Sequence, residues 1–329
     1  MRYDVRRGIR APLPLLLAAL TVFAAACGSD SGGNSSSQAS GGPETPNITV
    51  GVLPIVGVAP VYLAEQNGFF KQEGLTVKFQ QAQGDAALIP AMVGGDIQIA
   101  FSNYVSLFLA KTRGIDLSVI AEGVRAKPGF SGVFVMPNSP IKTPADLAGK
   151  KVAVDTLNNV GDVAISAVLS QQGVDPKTLK FVEVPLPDMG PTMQRGEVDA
   201  AWVEEPFTTS LKDTLKARAI IDPFSGPTDG LPVAGYAVTE RFSDSNPRTV
   251  AAFLRALDKA TAAANADPSK VVQLVPTYTG IKADAASKFT LPAYTATPDA
   301  TALQHVADLM KQYGKLDQTM DVASFTRSG

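Results

Sequence analysis

The 329-residue chain has one cysteine, Cys27, one histidine, His305, and one tryptophan, Trp202. One cysteine excludes an internal disulfide framework and any cysteine-rich metal site. One histidine excludes a histidine metal cluster, and a Ser-His-Asp triad would have to be built on His305, with no G-x-S-x-G elbow in the chain to accompany it. His305 itself is offset from the apolar stripe Leu303, Val306, Leu309, Met310, which reads as a solvated helix position. Net charge is −2, so no basic field points to nucleic acid. The longest apolar run lies near the N-terminus and falls short of the about 20 residues that a membrane-spanning helix needs. Cysteine-liganded metal, a histidine metal cluster, thiol chemistry and most hydrolytic chemistry are thereby set aside, and no cofactor is expected.

The N-terminal run carries a different signal. Arg2, Arg6, Arg7 and Arg10 precede Leu15, Leu16, Leu17, Leu20, Val22 and Phe23, and Ala24-Ala25-Ala26 leads to Cys27 and Gly28. A positive region, a short apolar region and small residues before a cut describe an export leader, residues 1–26. The end of it resembles the bacterial lipoprotein lipobox, which implies that Cys27 is acylated and becomes the first residue of the mature protein. A plain secretory leader with an incidental cysteine is the alternative; either places the protein outside the cytoplasm. Removal of the leader also leaves the remaining chain anchored through its only thiol. Residues 27–46 are rich in Gly and Ser and read as a flexible tether, with a coil reach of roughly 25 Å.

Beyond the tether the chain repeats itself. Residues 90–101, PAMVGGDIQIAF, align without a gap with residues 191–202, PTMQRGEVDAAW. In each copy a helix stops at glycine and an acidic residue leads into an apolar strand. Upstream, Ile48-Thr49-Val50-Gly51-Val52 corresponds to Lys150-Lys151-Val152-Ala153-Val154. Further strands are expected at 75–79, 117–121, 132–136, 181–184 and 235–238. Helices are expected from Pro60 to Asn67, before Gly94, from Ser102 to Gly114, at 160–172, at 247–266 and at 299–313. Thr143-Pro144-Ala145-Asp146 reads as a capping box with proline at the first helical position. Such alternation predicts an α/β fold with mainly parallel sheets flanked by helices and a helical C-terminal extension.

These residues resemble a known family. Residues 62–77, YLAEQNGFFKQEGLTV, followed in order by Gly94-Gly95-Asp96-Ile97, Asp146-Leu147-Ala148-Gly149-Lys150-Lys151-Val152, Gly196-Glu197-Val198-Asp199-Ala200 and Glu205-Pro206, are similar to the substrate-binding proteins of nitrate, sulfonate, taurine and thiamine-precursor ABC importers. The resemblance covers about residues 48–268. It implies a two-lobed type II periplasmic-binding fold, with residues 47–128 and 235–329 in lobe I, residues 129–234 in lobe II, and crossings near 125–129 and 233–235. It also implies a lipid-anchored monomer that captures a small solute by lobe closure for an ABC permease and its ATPase, performing no chemistry. An enzyme of thiamine-pyrimidine metabolism on the same fold is the competing class, and a taurine or alkanesulfonate binder is the competing ligand.

Ligands of open α/β sheets sit beyond the carboxyl ends of strands and against helix N-termini. That rule selects Gly57, Tyr62, Gln83, Gly84, Asp85, Ser102 and Asn103 from lobe I, and Asn158, Asn159, Asp162, Met189, Trp202, Glu204 and Glu205 from lobe II. Asp85 and Ser102 also read as helix caps, Asn158-Asn159 as a turn, Glu205 as a helix start and Trp202 as core. The selected loops hold acids, amides, hydroxyls and aromatics and no basic residue; Arg125 and Lys127 near the first crossing are the nearest cations. That composition tilts the ligand toward a nitrogen donor with a flat body, pyrimidine-like, and away from a bare oxyanion.

Overall fold

Short β-branched and apolar runs closed off by turns become the strands of two sheets in the computed structural model, which describes residues 41–327. The leader, Cys27 and most of the tether lie outside the described residues. The strands are β1 (Asn47–Val52), β2 (Thr76–Gln81), β3 (Ile99–Asn103), β4 (Leu117–Arg125), β5 (Ser131–Val135), β6 (Lys151–Val154), β7 (Lys180–Glu183), β8 (Ala200–Glu204), β9 (Arg218–Ile221), β10 (Pro232–Thr239) and β11 (Ala293–Tyr294). One sheet has the order β11-β4-β10-β3-β1-β2 and the other β7-β6-β8-β5-β9. Among the described residues no helix is long and apolar enough to cross a membrane.

The internal repeat is the reason the two sheets match. Val50 and Gly51 of β1 pair in parallel with Ile99 and Ala100 of β3, as Val152 and Ala153 of β6 pair with Ala200 and Ala201 of β8. The preceding helices, Leu88–Gly94 and Met189–Gln194, occupy equivalent places. Each sheet then accepts one antiparallel strand beside the repeat: β10 against β3, and β5 against β8. Both are the first strands after the chain has passed from one sheet to the other. The sheets are therefore mainly parallel, with β5 reversed in one and β10 and the short edge strand β11 in the other; β5 and β10 are reversed because a strand that arrives from the opposite lobe enters from the opposite end.

The passages between sheets lie at residues 126–130 and 222–231. Val233 to Gly235, expected as the second crossing, instead sit inside β10, where Ala234 and Gly235 pair with Asn103 and Ser102. Gly129 adopts φ 79 and its N–H donates to Asp222 at 2.8 Å, so the two passages are tied side by side. After β10 the chain stays with the six-stranded sheet. β11 pairs with β4, and the helix Pro247–Ala266 turns Phe253 onto Phe70 and Tyr236.

Several local expectations change in detail. Asp85 does not cap the helix that follows it, and the cap of Tyr104–Thr112 is Asn103, whose side chain accepts from Ser106 N, rather than Ser102. Asn103 is the residue with extended backbone immediately before the first helical turn, which is the geometry a cap requires. The tether is not free along its whole length either. Glu44 caps the helix Pro247–Ala266 by accepting from Thr249 N at 2.9 Å, and Thr45 N donates to Thr249 Oγ1 at 2.9 Å. Four orphan N–H groups at a helix start attract a carboxylate, and Glu44 supplies one.

Candidate functional site

The two sheets point the carboxyl ends of their repeat strands at each other, and a nearly closed cavity of about 10 Å³ lies between them. From the six-stranded side it is lined by Leu53 and Ile55 after β1, Asp85 after β2, Phe101 and Asn103 on β3, Val124 on β4, and Val233 and Ala234 on β10. From the five-stranded side come Asp155 after β6, Asn159 and Val160 at the start of the helix Val160–Gln171, and Trp202 and Glu204 on β8. Alternation along β8 sends Trp202 and Glu204 to one face and Val203 to the other.

Three carboxylates meet here, and no Lys, Arg or His lines the cavity. Asp85 is held by Asn103, which donates from its backbone at 3.2 Å and from Nδ2 at 2.6 Å. Asp155 accepts from Asn159 Nδ2, while Asn159 Oδ1 caps the next helix through Gly161 N at 2.9 Å. Burial pushes the Glu204 carboxyl well above the ordinary range, and repulsion from Asp155 and Asp85 adds to it. Burial and then the charge of Asp85 do the same to Asp155, and burial raises Asp85 against the hydrogen bonds it accepts. A site built this way favours positive charge and hydrogen-bond donors.

The cations expected nearby are committed elsewhere. Arg125 is bound to Glu122 and reaches Asp299 at 3.2 Å, all within the six-stranded side, and Lys127 is exposed. Lys315, from the C-terminal segment, crosses to the other lobe, where it donates to Asn158 Oδ1 at 2.8 Å and pairs with Asp162 at 3.5 Å. Burial still pushes the Asp162 carboxyl up to about 6, because Lys315 only partly offsets the loss of water.

Trp202 forms one wall. It is 1 % exposed, and its Nε1 has no hydrogen-bond partner although it is buried. The ring lies so close to the backbone at Gly161 that a Cβ there would stand 2.9 Å from two ring carbons. Trp202 is thus both core and cavity wall, and it presents an unsatisfied donor.

Of the residues selected from the sequence, Asp85, Asn103, Asn159, Trp202 and Glu204 line the cavity. Gly84 stands at its edge, where a Cβ would come 3.0 Å from Asp155 O. The others do not line it. Gly57 packs behind it on Phe101 and Val124. Tyr62 stacks on Tyr278 with ring centroids 4.0 Å apart and accepts from Gln81. Gln83 and Asn158 are exposed, whereas Ser102 and Met189 are buried. Asp162 serves Lys315, and Glu205 is a structural carboxylate that accepts from Thr209 N, Thr209 Oγ1 and Thr290 N. Asp155 was missed. The signal for it was available, since it directly follows the strand Val152-Ala153-Val154, at the carboxyl end that the strand rule selects.

A protein-family model described as NMT1/THI5 like matches residues 56–271, which contain β2 to β10 and every cavity residue except Leu53 and Ile55. The chain belongs to that family. Among curated proteins, the NMT1/THI5-like chain is 27% identical over 212 residues to the taurine-binding periplasmic protein of Escherichia coli (strain K12), across 64% of this chain and 63% of that protein. It is 26% identical over 278 residues to a putative thiamine biosynthesis protein of Haemophilus influenzae, across 81% and 86%. It is 25% identical over 223 residues to a 4-amino-5-hydroxymethyl-2-methylpyrimidine phosphate synthase of Saccharomyces cerevisiae, across 64% of each. The match therefore spans less than two thirds of the taurine-binding protein and of the synthase. Among solved structures, the alkanesulfonate-binding protein SsuA from Xanthomonas axonopodis pv. citri superposes with TM-score 0.75 at 18% identity, covering 86% of this chain and 99% of that one. The periplasmic nitrate-binding protein NrtA from Synechocystis PCC 6803 gives TM-score 0.77 at 16% identity, covering 87% of each. The fold is that of the periplasmic binding proteins.

Proposed function

We propose that this protein is an extracytoplasmic solute-binding lipoprotein, anchored through Cys27, that captures a small nitrogen-containing organic solute by lobe closure and delivers it to an ABC permease and its ATPase. One observation carries the reading: Asp85, Asp155 and Glu204 converge on an interlobe cavity walled by Trp202 and Phe101 and lined by no basic side chain. Carboxylates accept from N–H groups, the indole ring offers a flat apolar face, and the unpartnered Nε1 can donate to a ring nitrogen or hydroxyl. A pyrimidine-like thiamine precursor has this chemistry. The similarity to a thiamine biosynthesis protein supports it. A sulfonate or nitrate group would meet acids without a cation to hold it, so the taurine and nitrate relatives are weaker guides to the ligand.

An enzyme of pyrimidine synthesis is the competing class, since synthases are among the relatives. The only histidine stands against it: His305 is exposed, and its Nε2 lies 3.0 Å from Pro227 O, away from the cavity. Calorimetry against aminopyrimidines, taurine and alkanesulfonates tests the reading. Saturable binding of an aminopyrimidine, weakened roughly tenfold or more in Glu204→Gln, is the expected result. Tighter binding of taurine or a sulfonate by the same variant would refute the ligand class, because removal of a repelling charge favours an anion.

A further inference from the structure

The three cavity acids do not all belong to one lobe. Asp85 follows β2 of the six-stranded sheet, whereas Asp155 and Glu204 stand at the ends of β6 and β8 of the other. Closing the lobes brings like charges together in a space that excludes most water, where their repulsion is least screened. No basic side chain lines the cavity to offset it; Asn103 and Asn159 donate to Asp85 and Asp155 but carry no charge. We infer that Asp85, facing Asp155 and Glu204, forms a charge clamp that holds the unliganded lobes apart at neutral pH and closes only when a positive charge is placed between them. The inference rests on the proposed solute-binding role and deepens it: the captured solute is a cation, and Asp155 and Glu204 select it by charge.

The arrangement has the parts such a clamp needs. Each acid is buried when the lobes are closed, at 3 % exposure for Asp85, 7 % for Asp155 and 6 % for Glu204. The carboxylates are not gathered closely enough to make a metal site among the described residues, so the fitting charge is that of an organic cation, spread over a body that can reach both sides. The direction in which burial and mutual repulsion move Asp155 and Glu204, upward, is the one that a protonated closed state requires. The other charged groups near this face are already paired within it. Glu122 and Asp299 share Arg125, Glu205 is held by Thr209 and Thr290, and Glu183 accepts from Leu157 N. Asp162 pairs with Lys315 across the lobes and acts in the opposite sense, since that ion pair favours closure and is lost as Asp162 protonates near pH 6.

The test needs no ligand. The radius of gyration and the emission of Trp202, the only tryptophan, are compared for the wild-type protein and the D155N/E204Q double variant at about pH 8 and about pH 5. At about pH 8 the variant should be more compact, with bluer emission, because neutral amides replace the repelling acids. The difference should shrink as pH falls to about 5, because burial and mutual repulsion favour proton uptake by the wild-type acids, while the Lys315–Asp162 pair changes alike in both proteins. Equal compactness at about pH 8, or a difference that persists unchanged at about pH 5, overturns the clamp. Glu204→Gln alone, checked for intact secondary structure by circular dichroism, gives the same comparison if the double variant does not fold. A protein that opens and closes with pH in this way but captures no aminopyrimidine would keep the clamp and refute the proposed ligand; the reverse result would do the opposite.

Discussion

Gly161→Ala probes the wall of the cavity with distances that the structure supplies. Gly161 lies in the first turn of the helix Val160–Gln171, and an alanine Cβ there would stand 2.9 Å from Trp202 Cδ2 and Cε3 and 3.1 Å from Asn159 Oδ1. Carbon pairs settle at about 3.5–4.0 Å, so two ring atoms would be overrun by more than about 0.5 Å. Neither neighbour yields easily. Trp202 is fully packed in the middle of β8, and Asn159 is held at both ends, by Gly161 N and by Asp155. Overpacking of this kind costs about 1–3 kcal/mol, against at most about 1 kcal/mol gained when alanine replaces glycine in a helix. The net expectation is a loss of about 1–2 kcal/mol and a Tm lower by about 2–6 °C. Thermal unfolding followed by tryptophan fluorescence reads it, with Gly94→Ala as the control. That glycine also lies in a helix, its nearest neighbour to a new Cβ is Asp96 Oδ2 at 4.0 Å, and the substitution should be neutral or slightly stabilising. A Tm for Gly161→Ala equal to or above wild type would refute the argument that the ring is pinned.

Glu205→Ala should destabilise the protein by about 1–3 kcal/mol in denaturant unfolding, because the buried carboxylate accepts from Thr209 N, Thr209 Oγ1 and Thr290 N and so ties a helix start to the C-terminal segment; no change would show those bonds to be expendable. Asp162 has a carboxyl raised from 3.8 to about 6, so the stability it contributes is complete below pH 3.8 and is lost as pH rises through 6. Asp162→Asn should therefore gain on wild type by up to about 3 kcal/mol between acid and neutral pH, and parallel pH profiles for the two proteins would contradict this. Cys27→Ser should abolish radiolabelled fatty-acid incorporation and leave the leader uncut, whereas normal labelling would remove the lipid anchor from the proposal.

The sequence by itself determined the architecture. The repeat between residues 90–101 and 191–202 implied two equivalent halves, and helix starts such as Pro247 and Val160 were legible because capping and proline signals are local. Five of the cavity residues were also legible, because the strand-end rule needs only strand position and direction. Tertiary structure decided what those residues do. Asp85 and Glu205 are both acids near a helix start, yet one faces the cavity and the other turns away to Thr209 and Thr290, a choice made by packing across the lobes. Asp155 joined the cavity only when β6 came to lie beside β8 and faced Asp85 across the gap. The reversed strands β5 and β10 likewise follow from the route of the chain between lobes, which no local pattern encodes. Charge is the clearest case: a sequence shows how many acids a chain has, but their mutual repulsion depends on separations and burial that exist only once two distant segments meet.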